Sequence, residues 1–173
     1  MKIDWKNTIL PLILLISLVA VIRYFDYKDN NSLASNGMRT VGIITDLPIG
    51  GTVKWRYTTS QGESVEIHDK NAQYIGIQTS EKFYATYDTT YYKNAVLHYD
   101  EPYIDFESDT LNNFVITRPM KTGNLYISYK YRTGNQEFLR QQRLPKRSNW
   151  EKEDSLLLIV NKDKPAISYI IKK

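Results

Sequence analysis

The sequence predicts a mainly β protein, in which an N-terminal transmembrane helix precedes two tandem small antiparallel β-barrel or sandwich units related by an internal repeat. An apolar stretch near the N-terminus predicts the helix. The chain has 14 tyrosines and many Val, Ile and Thr residues in short segments separated by turn residues, which favours strands. The text "VKWRYTTSQGE" at residues 53–63 recurs as "ISYKYRTGNQE" at residues 127–137, which predicts the repeat. The expected domains are 1–37 (anchor and linker), 38–108 (first β-unit) and 109–173 (second β-unit).

The predicted anchor is the segment "TILPLILLISLVAVI", Thr8–Ile22, which contains no charged residue. A helix from Lys6 to Arg23 would span about 24 Å, slightly less than the hydrocarbon core of a bilayer. Aromatic rings at both ends lengthen the usable span. A cleaved signal peptide is the alternative, but no small-x-small cleavage site follows the segment promptly. The residues expected to form the anchor are Trp5, Ile9, Leu14, Ile16, Val21 and Tyr24.

The charges that flank the anchor nearly balance, because two lysines precede it and Arg23 and Lys28 follow it. With no long domain before the segment, we expect the N-terminus inside and the body outside. The predicted location is therefore the bacterial inner (cell) membrane, with a single pass and an extracytoplasmic body. The polar stretch "KDNNSLASNG" that follows is expected to be a loosely ordered linker.

Both copies of the repeated text alternate between apolar and polar residues, which predicts strands with one buried and one solvated face. Three further pairs of segments match in the same order: 40–46 with 112–118, 81–88 with 155–162 and 94–99 with 165–170. A single unit of about sixty residues would bury only ~60% of its unfolded surface, so two packed units are expected. The predicted buried faces are Val53, Trp55, Tyr57 and Thr59 in the first copy and Ile127, Tyr129, Tyr131 and Thr133 in the second.

The segments "GIITDL", "VKWRYTTSQGE" and "SEKFYATYDTTYYKNAVLHYDEP" resemble a group of uncharacterised bacterial membrane-anchored proteins that share a domain of unknown function. Members of this group have a Val/Ile-Gly opening strand, an aromatic-rich hairpin and a further strand followed by Asn-Pro. The resemblance covers mainly residues 41–102. The chain departs from it at Ser80, where a Gly is usual, and at residues 89–92, which replace a Pro-containing turn. The resemblance implies a small β-barrel near a membrane and carries over no catalytic residue.

The chain contains no cysteine, which excludes disulfides, thiolate metal sites, a cysteine nucleophile and a lipoprotein anchor. The motifs of phosphate-binding loops, nucleophile elbows and zinc proteases do not occur, so we expect no enzyme and no cofactor. The alternative is a metal-dependent or hydrolytic module that uses His68 and His98, with a carboxylate such as Glu66 or Asp100. Against this alternative, His98 matches Tyr169 of the second copy, an ordinary aromatic position on a strand.

The acidic run "YDEPYIDFESD" lies between the two predicted units. It lacks the regular spacing and the glycine of a calcium-binding loop, so a solvated linker is the preferred interpretation. Its carboxylates are Asp100, Glu101, Asp105, Glu107 and Asp109.

The net charge differs strongly along the chain: +1 for residues 1–37, −5 for residues 38–112 and +8 for residues 113–173. Cations concentrate in the predicted loop "RQQRLPKRSNW", where each could contribute about 1 kcal/mol towards anionic lipid. A solvated surface that serves solubility is the alternative. The candidate surface for a partner or for lipid consists of Arg140, Arg143, Lys146, Arg147 and Trp150.

These observations predict a membrane-anchored, non-enzymatic binding or scaffolding protein. Its tandem β-body would present strand edges, tyrosines and the basic loop to a protein partner or to an anionic lipid surface. We expect no nucleic-acid partner for an extracytoplasmic body. An immunity-type protein that neutralises a toxin at the membrane is the alternative within the same architecture.

Overall fold

The computed structural model describes residues 10–48, 51–70, 76–118, 126–145 and 156–172. These ranges hold one helix and a series of antiparallel strands. The bounds are α1 Leu10–Asn36, β1 Gly37–Asp46, β2 Val53–Thr58, β3 Ser64–Asp69, β4 Lys82–Asp88, β5 Ala95–Pro102, β6 Ser108–Leu111, β7 Phe114–Arg118, β8 Tyr126–Thr133, β9 Gln136–Arg143, β10 Leu156–Asn161 and β11 Ser168–Lys172.

Helix α1 is long and apolar enough to cross a membrane, and none of its apolar segment is covered by the rest of the chain. Leu14 and Ile16 are 63% and 60% exposed, and Val21 and Tyr24 are exposed as well. An uncovered apolar surface of this size is typical of a membrane span or of a signal sequence. Trp5 and Ile9, which the sequence also assigns to the anchor, lie outside the described residues.

The predicted loose linker after the anchor is wrong, because α1 continues through it to Asn36 and passes directly into β1. The end of the helix is hydrogen-bonded to the β-body. The Ser32 hydroxyl donates to the Asp88 carboxylate, and both the N–H and the hydroxyl of Thr89 donate to the Asn36 carbonyl, at 3.3 and 3.2 Å. These tertiary contacts stabilise a helical turn whose Asn and Ser residues have low helix propensity.

Sheet A contains strands β1–β5 in the order β3-β2-β1-β4-β5. The predicted inner face of β2 is confirmed, since Val53, Trp55, Tyr57 and Thr59 are buried. Gly42 of β1 lies against the Trp55 ring, and a Cβ there would come within 2.8 Å of that ring. The sheet is curled, because the Tyr99 hydroxyl on one edge strand donates to Asp69 on the other, at 3.0 Å.

The second half of the chain forms two smaller sheets. Sheet B has the order β11-β10-β6, and sheet C has the order β7-β8-β9. A core of buried side chains joins the two, with Tyr129 and Tyr131 from sheet C and Leu158 and Val160 from sheet B. The predicted face of β8 is thus confirmed for Ile127, Tyr129 and Tyr131, while Thr133 at the strand end is half-buried.

Strand β11 contributes to both hydrophobic cores. Tyr169, together with Ile167 just before the strand, packs in the core of sheet A, whereas Ile170 packs in the core between sheets B and C. Successive residues of a strand point to opposite sides, so one short strand can serve two cores.

The mainly β class with an N-terminal helix is confirmed, but the strands outnumber those predicted. β3 and β9, the hairpin partners of β2 and β8, were not among the four strands predicted for each unit. β3 alternates between exposed and half-buried residues but has no fully buried one, and β9 has polar residues, Arg140 and Gln142, at its buried positions.

Candidate functional site

A cleft of about 400 Å³ lies between the start of β4, the β5–β6 connection and the β10–β11 turn. We call it the junction cleft, because it lies where sheet A meets sheet B. Its lining residues are Ser80, Glu81, Lys82, Tyr103, Asp105, Phe106, Glu107, Asn161, Asp163, Lys164, Ile167 and Tyr169.

Glu81 forms the buried end of the junction cleft, with 1% of its surface exposed. One carboxylate oxygen accepts from the Gln78 N–H and from the Arg140 guanidinium, both at 2.8 Å. The other oxygen accepts from the Tyr169 hydroxyl, also at 2.8 Å. A buried carboxylate is tolerated when charge and hydrogen bonds compensate it, and Glu81 has both.

The position of Arg140 differs from the prediction that placed it on an exposed basic loop. Residues 140–143 belong to β9, and Arg140 is only 4% exposed. Its guanidinium pairs with Glu81 and donates to the Gly76 carbonyl, so its charge is compensated inside the protein. Of the other predicted members, Arg143 is half-buried at the end of β9, and Lys146, Arg147 and Trp150 lie outside the described residues.

Burial raises the pKa of the Tyr169 hydroxyl, and the negative charge of Glu81 raises it further. Burial also raises the pKa of Tyr129 to about 12. Tyr129 donates to the Ser168 carbonyl at 2.8 Å. Both phenols therefore stay protonated in the physiological range and act as fixed donors rather than as acids or bases.

Aromatic rings and charged groups surround the open part of the junction cleft. Phe106 stacks on Tyr169 with ring centroids 6.3 Å apart. Asp105, Glu107 and Asp163 bring three carboxylates, and Lys82 pairs with Asp105. The lining thus combines aromatic side chains with carboxylates, and Glu107, like Asp105, has a lysine partner, Lys162 at 2.9 Å.

The rim of the junction cleft includes a residue with left-handed backbone. Ser80 has φ 73°, a conformation that costs a residue with a side chain about 1–2 kcal/mol. Its N–H donates to the Ile44 carbonyl at 2.8 Å, and its hydroxyl accepts from Lys164 at 3.2 Å. The turn that positions Glu81 is therefore held by contacts on both sides of the cleft.

A shallower groove of about 350 Å³ continues from the junction cleft along the β10–β11 turn. The two concavities share Lys164 and Ile167. The two concavities therefore adjoin at the β10–β11 turn. The residues that line only the groove are Gln78, Thr79, Gln136, Phe138, Pro165 and Ala166.

The two histidines lie on the opposite edge strands of sheet A. His68 on β3 contacts Glu66 at 3.0 Å, and His98 on β5 contacts the Thr86 hydroxyl at 2.8 Å. Within the part of the chain that the structure describes, no group of three His, Cys, Asp or Glu residues is arranged to hold a metal ion. The geometry gives His68 and His98 separate local partners.

The acidic run between the halves is more ordered than the predicted solvated linker. It includes the end of β5 and the start of β6, and several of its carboxylates form ion pairs. Glu101 pairs with Arg39 at 2.7 Å, and Glu107 pairs with Lys162 at 2.9 Å. Arg39 lies on β1 and Lys162 directly follows β10, so the run ties the two halves together.

Comparison of the chain with protein-family models, with curated proteins and with solved structures gives no match. The resemblance over residues 41–102 stays a prediction.

Proposed function

We propose that this protein is a membrane-anchored, non-enzymatic binding protein whose β-body takes a segment of a protein partner in the junction cleft. The observation that carries the proposal is the cleft itself, where aromatic side chains and carboxylates line an opening between the sheets. Its buried end is an ion pair in which both carboxylate oxygens of Glu81 accept hydrogen bonds, an arrangement suited to holding the cleft wall in place rather than to transferring protons.

The chemistry of the lining favours a basic partner segment. An Arg or Lys side chain gains from contact with an aromatic face, by about 0.5–2 kcal/mol, and from a nearby carboxylate. The half-buried ring of Phe106, stacked on the buried Tyr169, offers the aromatic contact, and Asp163 offers a carboxylate beside Glu107, which also pairs with Lys162. The adjoining groove would take the neighbouring residues of the same segment.

Anchoring by α1 is the second part of the proposal. A helix with an uncovered apolar surface stays soluble only if something covers that surface, and a bilayer does so at low cost. If α1 is an anchor, protein recovered from membranes should keep the full mass of 20.2 kDa and resist extraction by alkaline carbonate. Loss of the N-terminal segment from the recovered protein would instead identify a signal sequence.

We also propose that the β-body consists of two copies of one five-stranded unit. Sheet A has the order β3-β2-β1-β4-β5. If β6 and β7 are taken as one interrupted strand, sheets C and B together have the order β9-β8-β7/β6-β10-β11. In both halves the first strand is then central, the second and third strands follow on one side of it, and the fourth and fifth follow on the other side. The pairing register shifts between Ile44 and Asp46 in β1 and between Ile116 and Arg118 in β7, so a bulge recurs at the matching place.

The hairpins that end each half support the same proposal. In both, the last residue of the first strand uses its side-chain oxygen to accept from N–H groups of the turn, Asp88 in one and Asn161 in the other. Three further hydrogen bonds of the first hairpin have a counterpart in the second. The Asp88 N–H donates to the Asn94 carbonyl as the Asn161 N–H does to Ile167, and the Asn94 N–H donates to the Tyr91 carbonyl as the Ile167 N–H does to Lys164. The Tyr57 hydroxyl donates to the Tyr92 carbonyl as the Tyr131 hydroxyl does to Pro165.

Capture of a partner from solubilised membranes tests the cleft. The full chain is compared with a variant that reverses cleft charges, Glu107→Lys with Asp163→Lys, and with a control that reverses exposed charges elsewhere, Glu63→Lys with Glu66→Lys. We expect the cleft variant to lose a partner that the control retains.

The captured partner should also be released by a peptide of alternating Arg and Gly, and not by its Glu-containing counterpart. Equal recovery by all three proteins, or release by both peptides, would contradict the proposed site. A captured toxin would identify the immunity-type function, since that alternative differs only in the partner.

A further inference from the structure

The turn between β4 and β5, residues 89–94, lies along the last turns of α1 rather than away from the helix. The Asn94 side chain donates to the Asp29 carbonyl at 3.1 Å. Thr89, at the other end of the turn, donates to the Asn36 carbonyl. From Thr89 to Asn94 the turn therefore runs back along the helix, towards its apolar segment.

This placement sets the height of the turn above a membrane. Asp29 is seven residues beyond Ile22, the last residue of the apolar segment, which corresponds to about 10 Å along the helix. The polar layer on each side of a bilayer is roughly 5–8 Å thick. Side chains that project from the turn towards Ile22 are thus within reach of lipid headgroups.

The turn carries side chains suited to that layer. Tyr91 is 59% exposed, and Lys93 is exposed as well. Tyrosine is enriched at membrane interfaces, because its ring is apolar and its hydroxyl is polar. A lysine near an anionic surface contributes about 1 kcal/mol.

The matching turn between β10 and β11 provides an internal comparison. It has the same hydrogen-bond pattern, and Lys164 there occupies the place of Tyr91. Lys164 reaches Ser80 across the junction cleft. Of the two turns, the one with the exposed tyrosine is the one that lies against α1.

Hydrogen bonds fix the position of the turn relative to α1. Asp88, at the end of β4, accepts from Ser32 of the helix and from the N–H and hydroxyl of Thr90 at 2.8 and 2.7 Å. The Asn94 N–H donates to the Tyr91 carbonyl at 2.8 Å. The turn therefore has hydrogen bonds both to the helix and within itself, and it cannot retract from the surface without breaking them.

We infer that the β4–β5 turn is a second membrane contact, in which Tyr91 and Lys93 enter the headgroup layer of the bilayer that holds α1. This inference rests on the proposed anchoring by α1. As a consequence, the protein would contact the membrane at two places, the helix α1 and the β4–β5 turn, instead of at the helix alone.

Because the chain has no cysteine, single probes can be attached at chosen positions of the full-length protein. The reporter is Lys93→Cys labelled with a fluorophore, in vesicles of phosphatidylcholine and phosphatidylglycerol that contain a headgroup spin-labelled lipid as quencher. The controls are Val19→Cys in the apolar segment and Asp46→Cys at the far end of β1, which lies about 30 Å along the strand from Gly37.

We expect quenching at position 93 to be several-fold stronger than at position 46, and to fall when Tyr91→Glu is added. Val19→Cys should respond to a quencher placed on the acyl chain. If position 19 is quenched and position 93 behaves like position 46, the turn does not touch lipid and the inference is overturned while the anchor stands. If position 19 is not quenched either, the anchoring proposal itself fails.

Discussion

Glu81 and Arg140 form the one ion pair among the described residues in which both side chains are fully buried, at 0% and 4% exposure. Neither residue was singled out in the sequence for this role: 59 positions separate them, and no local motif marks a pair that forms only on folding. Arg140 belongs to a cluster of cations in the sequence, and such a cluster does not show which of its members turns inward. The buried end of the junction cleft, which this pair forms, could not be predicted from the sequence for the same reason.

Removing one member of this pair should be costly, because it leaves the other charge buried without a partner. We expect Glu81→Gln or Arg140→Met to lower the free energy of unfolding by about 3–5 kcal/mol. The double variant should lose less than the sum of the two, since it leaves no unpaired charge. Denaturant titration of the full chain in detergent measures all three, and strict additivity would argue against a direct coupling.

Asp88 predicts a pH dependence for the junction between helix and body. Hydrogen bonds from Ser32 and then from Thr90 lower the pKa of its carboxyl from 3.8 to about 2. The folded state thus binds the proton more weakly than the unfolded state, so the stabilisation is complete above pH about 4 and is lost as the pH falls towards 2.

Asp88→Asn should remove this acid-dependent loss and lower stability at neutral pH. Asn161 shows that an amide oxygen can still cap the matching turn, accepting from the Asp163 N–H at 2.9 Å. The expected defect is therefore confined to the contact with Ser32. Hydrogen exchange at residues 28–36 should rise at pH 7 in this variant and remain unchanged in Asn161→Asp. Unchanged exchange in Asp88→Asn would contradict the proposed role.

At the scale of elements, alternation predicted which faces of β2 and β8 are buried, because period-two patterning depends only on neighbouring residues. If the two halves are copies of one unit, as proposed above, the match of residues 81–88 with 155–162 is displaced by one residue and the match of 94–99 with 165–170 by two. The first match sets Phe83 against the half-buried Leu157, whereas the hairpin hydrogen bonds set the buried Phe83 against the buried Leu156. A slip of one residue exchanges the two faces of a strand, so only the register and the hairpin hydrogen bonds could correct it.

The passage from α1 to β1 depends on a small residue. A Cβ at Gly37 would overlap the Leu33 carbonyl oxygen and come within 2.8 Å of the Thr86 side chain. We expect Gly37→Ala to displace the end of the helix and to destabilise the protein by about 1–3 kcal/mol, as overpacking does. Gly134→Ala is the matched control, since a Cβ there meets no neighbour and its left-handed φ of 55° is the source of any cost.

The two variants differ in where the damage should occur. Hydrogen exchange in α1 and β4 should increase for Gly37→Ala, and exchange in the β8–β9 hairpin should increase for Gly134→Ala. Protection of residues 29–36 that is the same in Gly37→Ala and in the unsubstituted protein would show that the junction tolerates a side chain.

For the whole molecule, the sharing of β11 between two cores predicts a single unfolding transition. Ile167 is buried against sheet A, and Ile170 is buried between sheets B and C. Replacing either by Ala should cost about 2–5 kcal/mol and lower the stability of both halves together. Hydrogen-exchange mass spectrometry resolves the halves separately. Two transitions, or protection lost in one half only, would mean that the halves fold independently.

The direct passage of α1 into β1 also has a rotational consequence. Each residue turns an α-helix by about 100° and lengthens it by ~1.5 Å. Adding one residue between Ile22 and Asp29 would therefore turn the β-body by about 100° about the helix axis relative to the apolar segment, while lengthening the helix by only ~1.5 Å. If α1 spans a bilayer as proposed, the side of the β-body that faces neighbouring membrane proteins is set by the number of residues between Ile22 and Asp29, and it changes in steps as that number changes.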